Sequence, residues 1–122
     1  MDFKEFEKEV ALAVKRLPVE YRRLLEKEEI SVIPREKVPP GLRKRQGKGI
    51  IFGVFVGTSR KSRRLRYVYP EPTRIEIYMK SFERAFGKEL TDEVRQRINR
   101  TVIHEIAHYF GFDEYEVRSR GY

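Results

Sequence analysis

The chain has 122 residues and a formal net charge of +8, from 27 Lys and Arg against 19 Asp and Glu. It contains no cysteine, which excludes disulfide bonds and thiolate metal sites, and no apolar run approaches the length of a membrane span. The charged N-terminus lacks the apolar core of a secretory signal. We therefore expect a single cytoplasmic domain over residues 1–122.

Two helices and a strand are predicted in the first third of the chain. Apolar residues recur at three- and four-residue spacing over 2–17, which predicts an amphipathic helix. The proline that follows ends this helix and can open a second one over about 19–29. The segment 30–33 is predicted as a short strand ended by Pro34, and 35–49, rich in Pro, Gly and basic residues, as a loop.

Two further strands are predicted in the middle of the chain. The apolar, β-branched run 50–56 lies between two glycines and predicts a buried strand. A polar, basic loop is expected over 57–66. In 74–80 apolar side chains alternate with polar ones, which predicts a half-buried strand with one face in the core and one in water. A helical turn is expected over 81–86, closed by Gly87.

A long helix is predicted near the C-terminal end of the sequence. Thr91 is a good N-cap residue, and Asp92 and Glu93 follow in the first turn, where the helix dipole favours acids. Gly111 falls where a C-terminal glycine cap belongs. An apolar stripe joins the two ends at helical spacing and consists of Val94, Ile98, Val102, Ile106 and Tyr109.

The last two turns of this helix carry the run His104-Glu105-Ile106-Ala107-His108, which holds both histidines of the chain. Residues four apart lie on one helix face, so both imidazoles can reach one metal ion. Glu105 is then near enough to act as a general base on a metal-activated water. The spacing predicts a Zn²⁺ site with His104 and His108 as ligands and Glu105 as the catalytic residue.

A third ligand is needed, because catalytic zinc sites usually have three protein ligands and an open position. With no further histidine, a carboxylate or a tyrosine must supply it, and only fourteen residues follow His108. In the pattern His-Glu-x-x-His-x-x-Gly-x-x-His, the glycine turns the chain back to the metal. Gly111 occupies the glycine position and Glu114 the last one. We predict Glu114 as the third ligand, with Asp113 and Glu116 as the alternatives.

The run from Thr101 to Gly111 resembles the signature helix of the small bacterial zincin-like metallopeptidase domain family. The likeness extends to 50–57, to 74–78 and to the closing Gly121-Tyr122, and it covers most of the chain beyond the predicted N-terminal helices. The family typically has an aspartate at the position of Glu114.

The resemblance implies an α+β, zincin-like fold, here with the N-terminal helices added. In such a fold a small mixed β-sheet packs on the active-site helix and an edge strand lies over the metal cleft. The segment 74–80 is the candidate for that edge strand, with which an extended peptide could pair.

The sequence therefore predicts a zinc metallopeptidase acting on peptide or protein substrates, in which Glu105 carries a proton from water to the leaving amine. The donor for the oxyanion stays open between Tyr78, Tyr109 and a basic side chain. One alternative is a metal-binding zincin-like protein that acts by binding a partner, with little hydrolysis.

A second alternative is nucleic-acid binding through the basic segment 35–66. This segment has eleven Lys or Arg and one acid, a net +10, whereas the remainder has sixteen basic and eighteen acidic residues, a net −2. No recognition-helix or RNA-binding sheet signature accompanies it. A solvated basic surface is therefore favoured over a nucleic-acid site, and no membrane partner is expected.

Overall fold

The computed structural model describes residues 1–42, 49–57, 73–112 and 114–121, and the side chains of Glu114 and Val117 lie outside this description. The elements of the described residues are α1 (Phe3–Lys15), α2 (Val19–Lys27), β1 (Ser31–Arg35), β2 (Gly53–Val56), β3 (Arg74–Tyr78), α3 (Met79–Phe86), α4 (Asp92–Tyr109) and α5 (Glu114–Ser119). The expected α+β class is confirmed.

The sheet is mixed, and its strand order is β1-β3-β2. β1 runs parallel to β3, with Ser31 opposite Arg74. β2 runs antiparallel to β3, with Gly53 opposite Ile77. β3 therefore has a strand on both sides, and the prediction that 74–80 is an edge strand was wrong. The backbone groups that an edge strand would offer to a peptide are already paired in β3.

β3 is also more buried than its alternating sequence indicated. Ile75 and Ile77 belong to the core, but Glu76 and Tyr78 on the opposite face are buried as well. The prediction of one wet face was wrong: Glu76 accepts hydrogen bonds from Tyr78 and from arginines of β1 and β3, and these partners make its burial possible. The strand ends at Tyr78, and the next two residues already begin α3.

The two N-terminal helices and the first strand form close to where the sequence placed them. α1 begins with a capping box in which Asp2 and Glu5 each bond the other's backbone N–H. β1 continues through Pro34, which was predicted to end it. Among the described residues β1 pairs only with β3, and a proline without an N–H is tolerated in such an edge strand.

The second predicted strand is shorter and less buried than expected. Only the last four residues of 50–56 form β2, and Ile50 and Phe55 are 38% and 37% exposed. The preceding residues instead run beside the start of α3. There the backbone N–H of Tyr78 donates to the carbonyl of Phe52 at 2.9 Å, and the Ser81 hydroxyl donates to the carbonyl of Ile51 at 2.5 Å.

Helix α4 has the boundaries that its caps predicted. The Thr91 hydroxyl accepts a hydrogen bond from the N–H of Val94 at 3.2 Å. At the other end Gly111 has φ 89°, a conformation that suits glycine. Its N–H donates to the carbonyl of His108, and the next N–H donates to that of Ala107, both at 3.0 Å. These two bonds form a Schellman cap directly after the motif.

The core lies between the sheet and helices α1 and α4. α1 contributes Phe6, Val10 and Ala13, and the stripe predicted on α4 is buried throughout. Because α4 supplies core residues along its whole length, its orientation towards the sheet is fixed by packing. None of the described helices is long and apolar enough to span a bilayer.

Candidate metal centre and catalytic groove

Helix α4 carries the two histidines of the motif one turn apart. Their ring centres are 6.3 Å apart and the ring planes are inclined by 44°. Two imidazoles on one tetrahedral zinc ion have ring centres roughly 5 Å apart, given Zn–N bonds of about 2.0–2.1 Å. The observed separation is about 1 Å larger than this. His104 and His108 thus lie close to the spacing of two zinc ligands, and their assignment as ligands stays a prediction.

Glu105 lies on the side of α4 that faces strand β2. A Cβ atom built on Gly53 would stand 3.4 Å from Cγ of Glu105, 3.0 Å from the carbonyl oxygen of Glu76 and 2.8 Å from Cδ1 of Ile77. The contact with Glu105 would be ordinary, but the contacts with Ile77 and Glu76 would be too close, so the absence of a side chain at Gly53 is what lets β2 pair this closely with β3. Glu105 is consequently confined between its own helix and a strand.

The motif side chains share one groove, which we call the catalytic groove. It has a volume of about 360 Å³, and its lining includes His104, Glu105 and His108. The segment Ile50–Gly53 forms one wall, and Arg97 and Arg100 of α4 line it beside the motif. The three predicted site residues therefore meet in one cavity that is open to solvent, as a peptide substrate would require.

The wall formed by Ile50–Gly53 is held in place by α3. In addition to its backbone bonds, Phe52 packs on Phe82 with ring centres 4.9 Å apart and on Phe86 at 6.0 Å. On the other side of Gly53, Phe55 meets Tyr109 edge-on at 5.6 Å. Aromatic contacts on the two sides of Gly53 thus tie this segment to α3 and to the motif helix.

The chain beyond the motif turns at Gly111 and enters α5 at Glu114. Asp113 and the side chain of Glu114 lie outside the described residues, so Glu114 stays a prediction as third ligand. Within the part of the chain that is described, no three His, Asp or Glu side chains are grouped as a metal site requires. Glu116, which is described, therefore does not form such a group with the histidines.

The two tyrosines considered as oxyanion donors lie away from the groove lining. The Tyr78 hydroxyl donates to Glu76 at 3.0 Å on the face of the sheet opposite Ile77. Burial, and then this hydrogen bond, raise the pKa of Tyr78 well above its ordinary value. Tyr109 is 7% exposed, and its hydroxyl has no hydrogen-bond partner among the residues that the structure describes. Basic side chains, in contrast, do line the groove.

Glu76 is the centre of a buried ion-pair network on that opposite face. It accepts hydrogen bonds from Nε of Arg74 at 2.9 Å and from Nε of Arg35 at 3.2 Å, besides the bond from Tyr78. Burial alone would raise the pKa of Glu76, but the three donors outweigh it and hold the pKa below its usual value. The network ties β1 to β3 and so supports the sheet behind the groove.

Sequence reasoning missed Gly53, Arg97 and Arg100 as parts of the site. A usable signal existed for the arginines, because they precede His104 by seven and four residues and therefore lie on its helix face. Gly53 was seen only as a residue of a strand. Its closeness to Glu105 depends on packing between elements that are fifty residues apart, which no local pattern reports.

Comparison with known protein families agrees with this geometry. A sequence model of the family described as zincin-like metallopeptidase matches residues 28–122, which include all three strands and the motif helix. Comparison with curated proteins gave no match. The resemblance seen in the sequence is confirmed, and the family implies a metal ion and peptide or protein substrates. The chain belongs to the zincin-like metallopeptidase family.

Proposed function

We propose that this protein is a zinc-dependent peptidase. His104, His108 and Glu114 hold the metal ion, and Glu105 is the general base. The observation that carries the proposal is the confinement of Glu105, in one open groove with both histidines, against a strand that passes at Gly53. A metal site that served only to stabilise the fold would have no need of a carboxylate held beside it.

The chemistry divides between the ion and the side chains. A bound zinc ion supplies Lewis acidity, which polarises a carbonyl group and acidifies a water molecule. Glu105 accepts the proton of the attacking water and delivers it to the nitrogen of the leaving amine as the C–N bond breaks. The walls formed by Ile50–Gly53 and α4 hold the peptide in place for this attack.

The proposal assigns residues 1–122 to one domain, although the family match begins at residue 28. Phe6 and Val10 of α1 belong to the same core cluster as Ile98 and Val102 of α4. Removing α1 would therefore expose the buried side of the motif helix.

The decisive experiment compares wild-type protein with Glu105→Gln. Both should bind one zinc ion per chain, while kcat/KM on a peptide library should fall about 10²- to 10⁴-fold in the variant. Glu93→Gln, on an exposed position in the first turn of the same helix, is the matched control and should keep full activity. Zinc-loaded wild-type protein that cleaves no peptide would leave partner binding as the function.

The ligand assignment is tested by zinc content after dialysis. His104→Ala, His108→Ala and Glu114→Ala should each lose the metal, whereas Glu114→Asp should keep it because aspartate offers the same donor atoms. Glu116→Ala is the control and should retain zinc. Retention in Glu114→Ala together with loss in Glu116→Ala would move the third ligand to Glu116.

A further inference from the structure

The catalytic groove continues into a second cavity, which we call the basic extension. The extension has a volume of about 830 Å³ and shares Ile50 and Ile51 with the groove. Its lining carries Lys37, Lys80 and Arg84 and no acid among the described residues. The two cavities therefore form one surface that runs from the motif across α3.

The charge of this surface is one-sided. Counting both cavities, five cations line it, and Glu105 is the one acid that lines it within the described parts of the chain. A third cavity, of about 620 Å³ between α1, α2 and β1, contains Lys15 and Arg22 together with Glu26 and Glu29. The excess of positive charge is therefore a property of the motif side and not of every cavity in this basic protein.

Most of these cations are not paired with a carboxylate of the described residues. Within that part of the chain, no ion pair joins Lys37, Arg84 or Arg100 to an acid. Arg97 lies over the ring of Phe86, with its Cζ 5.4 Å from the ring centre. Lys80 alone has an ionic partner there, a one-turn pair with Glu83 at 3.6 Å. Unneutralised cations lining a cavity produce a positive potential that attracts anionic ligands.

We propose that the groove and its basic extension bind acidic peptide segments, so that the preferred substrates carry Asp or Glu beside an apolar residue. This rests on the proposed peptidase function for the cleavage step, but not for binding. The apolar part of the surface, which includes Ile50 and Phe52, receives the apolar side chain. Arg100 and Arg84 are the specificity-determining residues. Arg100 lies one turn before His104, and Arg84 lies in the basic extension.

A peptide fits this surface better than a single-stranded nucleic acid. Nucleic-acid grooves combine cations with exposed aromatic rings on which bases stack. Here Phe82 is 1% exposed, and the partly buried rings of Phe52 and Phe86 are stacked on each other. Within the described residues, the aromatic rings of this surface are thus already packed against one another, and the surface supplies charge and apolar contact.

The test measures binding separately from cleavage. Three fluorescein-labelled peptides share one Leu-Phe centre and carry glutamate, glutamine or lysine on both sides of it. Fluorescence anisotropy with the full-length Glu105→Gln protein should give an affinity for the glutamate peptide roughly tenfold above that for the glutamine peptide. The preference should weaken with added salt. Cleavage of the same peptides by wild-type protein is then compared.

Charge reversals locate the effect on the surface. Arg100→Glu and Arg84→Glu, each in the Glu105→Gln background, should weaken binding of the glutamate peptide about five- to tenfold. Arg22→Glu makes the same change of charge in the third cavity, away from the groove, and should have no effect beyond that of net charge. Circular dichroism verifies that each variant is folded.

The outcomes separate this inference from the proposed function. Equal affinity for the three peptides, or an Arg22→Glu effect as large as that of Arg100→Glu, overturns the inference even if wild-type protein cleaves peptides. Charge-selective binding without any cleavage supports the inference and rejects the peptidase function. The assignment of a peptide ligand is overturned if a single-stranded oligonucleotide binds more tightly than the glutamate peptide and Arg100→Glu abolishes that binding.

Discussion

The close pairing of strand β2 with β3 beside the motif helix gives the sharpest prediction, through Gly53→Ala. The new Cβ would lie 2.8 Å from Cδ1 of Ile77 and 3.0 Å from the carbonyl oxygen of Glu76. Ile77 is fully buried and the carbonyl belongs to a paired strand, so neither can move away freely. The strand must therefore shift by a few tenths of an ångström away from β3, which changes its position beside Glu105.

Two opposing effects set the size of the change in stability. Overpacking a close-packed site costs about 1–3 kcal/mol. Gly53 does not have positive φ, so alanine also gains about 0.4–1 kcal/mol by restricting the unfolded chain. The free energy of unfolding should thus fall by about 1 kcal/mol, which lowers Tm by roughly 3–6 °C for a chain of this size.

Gly41→Ala provides the matched control for this substitution. A Cβ at Gly41 meets nothing within 4 Å, so the entropic gain stands alone and the variant should be as stable as wild type or slightly more stable. Urea unfolding gives both free energies, and peptide cleavage should drop several-fold in Gly53→Ala only. If Gly53→Ala matched Gly41→Ala in both measurements, the close packing of β2 on β3 at Gly53 would be refuted.

Three further predictions concern residues that hold the site in place, and urea unfolding measures the stability of each variant. Glu76→Gln should lower the free energy of unfolding by about 1–2 kcal/mol at neutral pH. Because the folded-state pKa of Glu76 lies below 4.5, its stabilisation is complete above the unfolded-state pKa and is lost as pH falls through the folded-state pKa. Gly111→Ala forces alanine into φ 89°, which should lower the free energy of unfolding by about 1–2 kcal/mol and weaken zinc binding. Gly111→Asn should lower the free energy of unfolding by less. Thr91→Ala should lower the free energy of unfolding by about 1 kcal/mol, whereas Thr91→Ser should keep it near the wild-type value.

Each of these predictions has an outcome that contradicts it. A difference between wild type and Glu76→Gln that stays constant down to acid pH would show that the carboxylate is not held charged by its partners. Full zinc content in Gly111→Ala would mean that the Schellman turn does not position a ligand. A Thr91→Ser variant as unstable as Thr91→Ala would remove the capping hydroxyl from the account of α4.

The helix that carries the motif was predictable because its determinants are local. The hydroxyl of Thr91 and the positive φ of Gly111 act within a few residues of the helix ends. The core stripe recurs at helical spacing between them, so residue identity and position are enough to define both boundaries. For the same reason, the placement of His104 and His108 on one face followed from their spacing alone.

The sheet could not be predicted in the same way, because strand pairing is decided by distant segments. The alternation in 74–80 is what an edge strand with one wet face would show. Glu76 and Tyr78 are nevertheless buried, and Arg35, forty-one residues earlier in the chain, supplies one of the partners that make the burial of Glu76 tolerable. The alternating pattern alone therefore does not decide whether a polar residue of a strand faces solvent or is buried with a partner.

The exchange of roles between β2 and β3 changes how a substrate would be held. The family resemblance implied an edge strand over the metal cleft, and β2 meets that requirement, since among the described residues it pairs with β3 alone and approaches Glu105 at Gly53. The edge of β2 can pair with a peptide backbone irrespective of sequence. The cations of the groove and its extension would act on the side chains. On our proposals, then, the groove walls that include Gly53 hold the peptide, and Arg84 and Arg100 select its sequence.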